Sequence, residues 1–130
     1  AEWEYAAKSG GQDIVYPWGN EEPNCDRLNF NQCVGDTTPV CTYATGNTAQ
    51  GLCDMAGNVW EWVEDDWHDS YEGAPVDGSA WVDNPRGSLR VRRGGSWYRV
   101  ADHVRAAYRR RGDPSLAGVI TGFRLARSAP

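Results

Sequence analysis

The pattern of apolar and polar residues at the start of the chain predicts one short helix followed by a long irregular segment. Residues 1–8 are rich in helix-forming residues, and Trp3, Ala6 and Ala7 form an apolar stripe with i, i+3, i+4 spacing. Two consecutive glycines follow and are expected to end this helix. Residues 9–53 show no clear periodicity and contain many Gly, Pro and Asn, so we predict a loop there.

Strand-like alternation returns in three short stretches further along the chain. Residues 57–63 alternate so that Trp60 and Trp62 lie on one face of a predicted strand. Residues 89–93 predict a second strand that ends at a Gly-Gly pair, and residues 122–126 predict a third. The remaining segments are expected to form a loop at 64–88 and a short helix or an extended turn at 102–111.

Composition supports a single loop-rich domain. The chain has 130 residues with 15 Gly and 7 Pro, and it has 7 Trp and 6 Tyr against 2 Phe. Many turn residues combined with large rings that carry polar atoms favour aromatic packing and side-chain hydrogen bonds over long aliphatic helices. The sequence therefore predicts an α+β fold with short strands, few helices and long loops.

Charge is divided unevenly along the chain. The net charge is −5, from 13 basic and 18 acidic residues, yet residues 86–127 hold 11 Arg and only two acids. We expect the acidic and basic parts to pair within one fold; the alternative is an anion-binding surface built from the arginines. Nucleic acid is not an expected partner, because the chain is acidic overall and has no recognition motif. No apolar run is long enough to span a membrane.

Four cysteines lie within one short stretch of the predicted loop, at positions 25, 33, 41 and 53. Three disulfide connectivities are possible. We favour Cys25–Cys33 with Cys41–Cys53, because each bond then closes a short loop, and free buried thiols are the alternative. Disulfides would place the chain in an oxidising, extracytoplasmic compartment such as a periplasm, the secreted space or an ER-type lumen.

Three stretches of the chain resemble one known family. They are Ala1-Glu-Trp-Glu-Tyr-Ala-Ala7 followed by Tyr-Pro-Trp-Gly19, Asp54-Met-Ala-Gly-Asn-Val-Trp-Glu-Trp62, and Arg93-Gly-Gly-Ser-Trp97 with Gly122-Phe-Arg-Leu-Ala-Arg127. They are similar to the formylglycine-generating enzyme, or sulfatase-modifying factor, family. The resemblance implies a loop-rich variant of the C-type lectin fold. It covers the C-terminal portion of the family pattern, so we expect residues 1–130 to form one domain that is part of a longer chain.

The resemblance argues against the oxidase reaction of the family. Its oxidase members use two cysteines with copper to convert a sulfatase cysteine to formylglycine. The matching positions here are Arg99 and Val104. Neither side chain offers the soft sulfur ligand that Cu(I) requires, so copper is not an expected cofactor.

The resemblance also implies structural calcium. The matching ligands are the side chains of Asp54 and Glu61 with the carbonyls of Gly57 and Val59 and, for a second site, Asn29 and the carbonyl of Phe30. Carboxylates and carbonyls are the hard oxygen ligands that Ca²⁺ prefers. The alternative for the first site is that Asp54 caps the turn and Glu61 pairs with an arginine. At the second site only Asp36 is available as an acidic partner.

The segment that replaces the catalytic stretch of the family carries polar and aromatic groups suited to recognition. The candidate ligand-binding residues are Ser96, Tyr98, Arg99, Asp102 and His103. This mixture predicts non-covalent binding of a peptide or a small polar ligand. We therefore predict a calcium-stabilised binding or accessory module without catalysis of its own. The alternative is the substrate-cleft half of a formylglycine-generating or non-heme-iron, ergothioneine-synthase-type oxidoreductase.

Overall fold

A mixed sheet of four strands organises the fold in the computed structural model, which describes residues 1–126. The elements are helix α1 (Glu2–Ala7), strands β1 (Trp60–Asp66), β2 (Arg90–Arg93), β3 (Arg110–Gly112) and β4 (Thr121–Gly122), and two 3₁₀ turns, Ala44–Gly46 and Ala101–Val104. The spatial order is β3-β2-β1-β4. β2 is antiparallel to β1 and β3, whereas β4 runs parallel to β1. The predicted loop-rich α+β class is confirmed.

The predicted amino-terminal helix is confirmed, one residue shorter at each end. Gly10 and Gly11 follow it with φ of +82° each, a region that glycine adopts without strain. Both donate their N–H groups to the carbonyl of Tyr5, at 3.0 and 3.1 Å. The glycines thus cap the helix and turn the chain into the long loop. That loop is confirmed apart from the short turn at Ala44–Gly46.

Strand β1 is displaced by three residues from its predicted position. The prediction of 57–63 starts too early, because Gly57 and Asn58 have left-handed φ values of +78° and +57° and cannot continue a strand. The predicted loop also starts too early, because β1 continues to Asp66. There the register with β2 shifts and Asp66 pairs with Arg90.

The C-terminal predictions are confirmed in part. The strand predicted at 89–93 is present as β2. The segment 102–111 contains both a 3₁₀ turn and the start of β3, so it combines the two predicted alternatives. Of the strand predicted at 122–126, only Gly122 is in β4. Residues 123–126 pair with no strand, and Phe123 is exposed to solvent.

The core contains two small clusters, and Trp60 at the start of β1 is also fully buried. One cluster lies under the long loop and contains Tyr16, Leu28, Phe30, Ala56 and Val104. The other joins α1 to the segments before β1 and before β3 and contains Ala7, Met55 and Ala106. Since no long apolar helix contributes, the loops themselves supply much of the buried surface.

Two disulfides, Cys25–Cys33 and Cys41–Cys53, hold the long loop, and both match the predicted pairing. They indicate an oxidising environment. The loop is also tied to the turn before β1 by Asn58, which exchanges hydrogen bonds with the backbone of Thr38. Within residues 1–126, every helix is too short to cross a bilayer.

Acidic and basic residues pair within the fold, as predicted from the uneven charge. Asp66 is 1 % exposed and pairs with Arg86 and Arg90. It also accepts backbone hydrogen bonds from Asp83 and Gly87. Burial alone would raise the pKa of Asp66, but these hydrogen bonds and the Arg86 guanidinium outweigh it and lower the pKa below its ordinary value.

Candidate functional site

Glu61, the expected calcium ligand in β1, is held by an arginine and an indole. Arg124 donates from Nε and Nη2 to the two oxygens of the Glu61 carboxylate, at 2.7 and 2.6 Å. Trp3 donates from Nε1 to the same carboxylate at 2.7 Å. Burial lowers the pKa of Arg124, but its hydrogen bonds and ion pair with Glu61 reverse that effect and raise it. Glu61 therefore pairs with an arginine, which is the alternative to calcium binding that the sequence left open.

The turn around Asp54 offers oxygen ligands, but a guanidinium already lies there. Asp54 Oδ2 accepts the N–H of Cys41 at 2.7 Å. Arg124 Nη2 also donates to the carbonyls of Cys53 and Asp54, both at 3.1 Å. A calcium ion at this position would have to share Glu61 with Arg124, so the donor set fits the ion only in part.

The second expected calcium position carries an acceptor without a partner. Asn29 is buried and donates from Nδ2 to the carbonyl of Asp36 at 2.7 Å. Its Oδ1 is buried and, within residues 1–126, accepts no hydrogen bond. The carbonyl of Phe30 accepts the N–H of Cys33 at 2.8 Å. A cation that ligates Asn29 Oδ1 would satisfy a buried oxygen that is otherwise left unpaired.

Four of the five predicted ligand-binding residues fall into two groups that follow each other along the chain. Tyr98 is half exposed, and the Arg99 guanidinium lies 5.7 Å from the centre of its ring. Asp102 and His103 lie on the 3₁₀ turn that follows, with Asp102 exposed. Ser96, by contrast, is fully buried, and its hydroxyl has no partner in the described part of the chain.

The two positions that match the oxidase cysteines have different environments. Arg99 is partly exposed, whereas Val104 is 0 % exposed and belongs to the core cluster under the long loop. A Cβ built on Gly95 would lie 2.6 Å from Val104 Cγ1, which shows how tightly the two segments pack. All four cysteines of the chain are in disulfides.

One face of the sheet, called the cleft face, was not anticipated as a site. It carries Trp60, Trp62, Arg92 and Arg110. The register places Trp62 opposite Arg92 and Arg92 opposite Arg110, so their side chains are neighbours. The Arg92 guanidinium lies 5.1 Å from the Trp62 ring centre and 6.0 Å from that of Trp60. The alternation of β1 predicted that the two tryptophans share a face. The position of the arginines on the same face could be known only from the pairing of β2 with its neighbours.

His103 packs beside the cleft face through its aromatic neighbours. Its ring centre is 6.3 Å from that of Trp60 and 4.8 Å from that of Tyr108. Burial lowers the pKa of His103, and the charges of Arg99 and Arg110 lower it further, outweighing the opposite effect of Asp102. The neutral imidazole is thus favoured, and the positive charge of this region is carried by the arginines.

The opposite face of the sheet, called the groove face, borders a cavity of about 500 Å³ between α1 and β2. Arg93 in its wall forms an ion pair with Glu4 at 3.1 Å. Arg109 lies between two rings, 4.5 Å from the centre of Trp67 and 4.3 Å from that of Tyr71. Sequence reasoning missed this groove because its rings come from a segment predicted as featureless loop.

Comparison with known proteins identifies the family. Residues 1–129 match the family described as the sulfatase-modifying factor enzyme 1-like domain. Among curated relatives, the serine/threonine-protein kinase Pkn1 of Chlamydia trachomatis is 41 % identical over 98 % of this chain and 20 % of its own length. The inactive C-alpha-formylglycine-generating enzyme 2 of Bos taurus is 35 % identical over 98 % of this chain and 42 % of its own length. Other relatives are named formylglycine-generating enzyme and hercynine oxygenase.

The solved structures agree with this assignment. The structure of PvdO from Pseudomonas aeruginosa superposes with a TM-score of 0.79 at 34 % identity, covering 94 % of this chain and 48 % of PvdO. The chain therefore spans about a fifth of the kinase-named relatives and less than half of PvdO. It belongs to the sulfatase-modifying factor enzyme 1-like, or formylglycine-generating enzyme, family.

Proposed function

We propose that this chain is a recognition module of its family that binds a polar ligand or peptide and performs no oxidation of its own. The observation that carries the proposal is the nature of the two positions where oxidase relatives have cysteines. Val104 is a fully buried core residue, and Arg99 is a cationic side chain. A pair of thiolates for Cu(I) has no counterpart at these positions.

The cysteines that the chain does contain do not replace that pair. Cys25–Cys33 and Cys41–Cys53 are disulfides within the long loop, and a disulfide sulfur is not a thiolate ligand. The relative named inactive C-alpha-formylglycine-generating enzyme 2 supports the view that members of this family occur without the oxidase activity.

The groups suited to ligand contact lie at the surface beside the cleft face. Tyr98 is 51 % exposed and stacks its edge against Trp97, which fixes its ring. Arg99 lies over Tyr98, and Asp102 follows on the next turn. A fixed aromatic ring with charged groups of both signs nearby is typical of sites that bind polar ligands without covalent chemistry.

Structural calcium is part of the proposal. Asn29 Oδ1, the buried unpaired acceptor, supports a cation at the second site. Around Asp54 the carboxylate and carbonyl oxygens support a cation more weakly, since Arg124 already neutralises Glu61. When bound, the ion would crosslink the long loop and stabilise the fold.

The proposed setting is extracytoplasmic, as one part of a longer protein. The two disulfides support an oxidising compartment such as a periplasm, the secreted space or an ER-type lumen. The relatives support the longer chain, because this sequence corresponds to about a fifth of Pkn1. The ligand would then be presented to, or delivered by, the remaining parts of that protein.

A second candidate function is the substrate-cleft half of an oxidoreductase. It is favoured by relatives named formylglycine-generating enzyme and hercynine oxygenase, of which the chain covers 47 % and 30 %. In that case the missing parts would supply the redox chemistry, and Tyr98, Arg99 and His103 would orient the substrate.

An oxidase assay tests whether this chain catalyses the oxidation by itself. The chain is incubated with Cu(I), oxygen and a Cys-x-Pro-x-Arg peptide, and the aldehyde product is measured by mass spectrometry. A formylglycine-generating enzyme serves as the positive control. We expect no turnover by this chain. The same peptide with its cysteine replaced by serine cannot be oxidised to the aldehyde in this way and therefore tests for binding alone. Aldehyde formation above the metal-only background would refute the recognition-module proposal.

A further inference from the structure

Three arginines converge beside the aromatic residues of the cleft face. Arg92 and Arg110 are direct cross-strand partners on β2 and β3, so their side chains emerge next to each other. Arg99 precedes the 3₁₀ turn that carries His103, whose ring centre lies 6.3 Å from that of Trp60. Burial lowers the pKa of Arg92, and the charges of Arg110 and Arg99 lower it further. Like charges placed opposite each other in a sheet repel. Holding these like charges side by side therefore costs electrostatic free energy, and the formation of the sheet does not require charged residues at these positions.

Carboxylates within the described residues do not neutralise these three arginines. In that part of the chain, no Asp or Glu oxygen lies within 4.0 Å of the guanidinium of Arg92, Arg99 or Arg110. Arg92 instead donates to the hydroxyl of Thr121 at 2.9 Å and to the carbonyl of Arg111 at 3.4 Å, and its Nε is buried without an acceptor among residues 1–126. Arg99 Nε is likewise buried and has no acceptor in that part of the chain.

Further buried polar atoms without a partner lie on Trp60 and on the segment that contains Arg99. Trp60 is fully buried in the floor of the cleft face, yet its indole N–H has no acceptor among residues 1–126. The Ser96 hydroxyl and the Trp97 indole N–H, three and two residues before Arg99, are also buried and have no partner among residues 1–126, and the same holds for His103 Nδ1. Buried polar groups are nearly always satisfied in native proteins, so partners that the described residues do not supply are expected here.

The groove face differs in this respect. Its Arg93 is paired with Glu4, and Arg109 lies between the rings of Trp67 and Tyr71. Among residues 1–126, neither of these two guanidinium groups carries a buried donor without a partner, in contrast to Arg92 and Arg99.

We propose that the cleft face binds the dianionic phosphoryl group of a phosphate monoester, held by Arg92, Arg99 and Arg110. The proposal rests on the recognition function proposed above and names the chemistry of the ligand. A phosphoryl group offers three oxygens that only accept hydrogen bonds and two negative charges, which matches several donors around three cations. A carboxylate has two oxygens and one charge and would leave donors unpaired. The rings of Trp62 and Tyr98 can pack against the group that carries the phosphate.

Side-chain NMR on the ¹⁵N-labelled 130-residue chain tests this proposal. Phenyl phosphate is titrated at neutral pH and fixed ionic strength while the Nε–H signals of Arg92 and Arg99 and the indole signals of Trp60 and Trp97 are followed. We expect saturable shifts of these signals with a single Kd. Benzoate, the matched carboxylate, should bind at least tenfold more weakly. Equal affinity for benzoate, or no saturation by phenyl phosphate at millimolar concentration, would overturn the proposal.

Charge-removing variants identify the residues involved. Arg110→Gln and Arg99→Gln should each weaken phenyl phosphate binding at least tenfold, and Arg99→Lys should recover only part of the loss because it lacks the planar fork. Arg111→Gln is the matched control: it removes the same charge from the neighbouring residue, which lies on the opposite face. If Arg111→Gln weakens binding as much as Arg110→Gln, the attraction is non-specific and the proposal fails. Arg99→Gln provides the test if Arg110→Gln does not fold.

Two further ligands distinguish the source of the phosphoryl group. A phosphoserine peptide is compared with phenyl phosphate and with its unphosphorylated form. Tighter binding of the phosphopeptide would assign the site to a modified protein, and equal binding would assign it to a small monoester. Both results support phosphoryl recognition, whereas binding of the unphosphorylated peptide at the same affinity contradicts it. Turnover in the oxidase assay would refute the recognition function without affecting these shifts, so the two failures are distinguishable.

Discussion

Replacing Glu61 with glutamine tests the central ion pair of the fold. The carboxylate is 6 % exposed and receives two hydrogen bonds from Arg124 and one from Trp3, all between 2.6 and 2.7 Å. The Glu61→Gln side chain has nearly the same size but no charge and only one acceptor oxygen. Arg124 then loses its counter-ion, and one N–H donor loses its acceptor.

The magnitude follows from burial. Breaking a fully buried ion pair costs about 3–5 kcal/mol, and hydrogen bonds to charged groups are worth about 1.5–3 kcal/mol. The Arg124 side chain is 33 % exposed, so water partly solvates it after the change. We therefore expect a loss of about 2–3 kcal/mol in the free energy of unfolding. For a domain of this size that corresponds to a fall in Tm of about 10 °C.

Thermal and urea unfolding under non-reducing conditions measure this effect. Glu64→Gln is the matched control, because Glu64 is an exposed residue of the same strand and should change Tm by less than about 2 °C. Arg124→Gln and the double variant complete a cycle whose coupling energy should exceed about 1 kcal/mol. The measurements are repeated in EDTA, which removes any calcium contribution. A Glu61→Gln loss no larger than that of Glu64→Gln in EDTA would refute the ion-pair argument.

Three other predictions concern pH, calcium and the disulfides. The pKa of Asp66 in the folded state lies below its unfolded value of 3.8. The stability that the ionised carboxylate contributes is therefore complete above that value and is lost as pH falls through the folded pKa. In urea titrations, the difference in unfolding free energy between wild type and Asp66→Asn should be constant near neutral pH and shrink below about pH 4. EDTA should lower Tm by several degrees, and excess Ca²⁺ should restore it. At a hundredfold excess over Kd, calcium should add about 2.7 kcal/mol to the free energy of unfolding. Asn29→Ala should reduce this response, and calorimetry that shows no calcium effect on the wild type would rule the ion out. Removing the Cys41–Cys53 disulfide with the double Cys→Ser variant should cost about 3 kcal/mol, and urea unfolding with an unchanged midpoint would contradict a stabilising role.

Local signals in the sequence were enough to predict the helix, the loop-rich class and the disulfides. The glycine pair after α1 and the short separations between cysteines act over a few residues, so their effect can be anticipated without the fold. The boundaries of β1 were not predictable in the same way. Asn58 adopts a left-handed φ, which asparagine tolerates but does not require, and the buried pairing of Asp66 with Arg86 and Arg90 depends on contacts twenty or more residues away.

The candidate site was predictable only where it lies on one segment. Tyr98, Arg99, Asp102 and His103 are close in sequence, so their grouping could be anticipated. Arg92 and Arg110 join them through the register of three strands, and alternation within one strand does not reveal the register of another. In the same way, the sequence pointed to an arginine partner for Glu61 without identifying Arg124.

The consecutive arginines Arg109, Arg110 and Arg111 serve two different surfaces. Arg110 belongs to the cleft face with Arg92, while Arg109 lies between two rings at the groove. Because side chains alternate along a strand, an insertion or deletion of one residue just before β3 would exchange these roles. Either phase would still present a guanidinium to the cleft, so the run makes the positive character of that surface tolerant of such changes. A deletion would also bring Arg110 to the position of Arg109 between the rings of the groove, whereas an insertion would not.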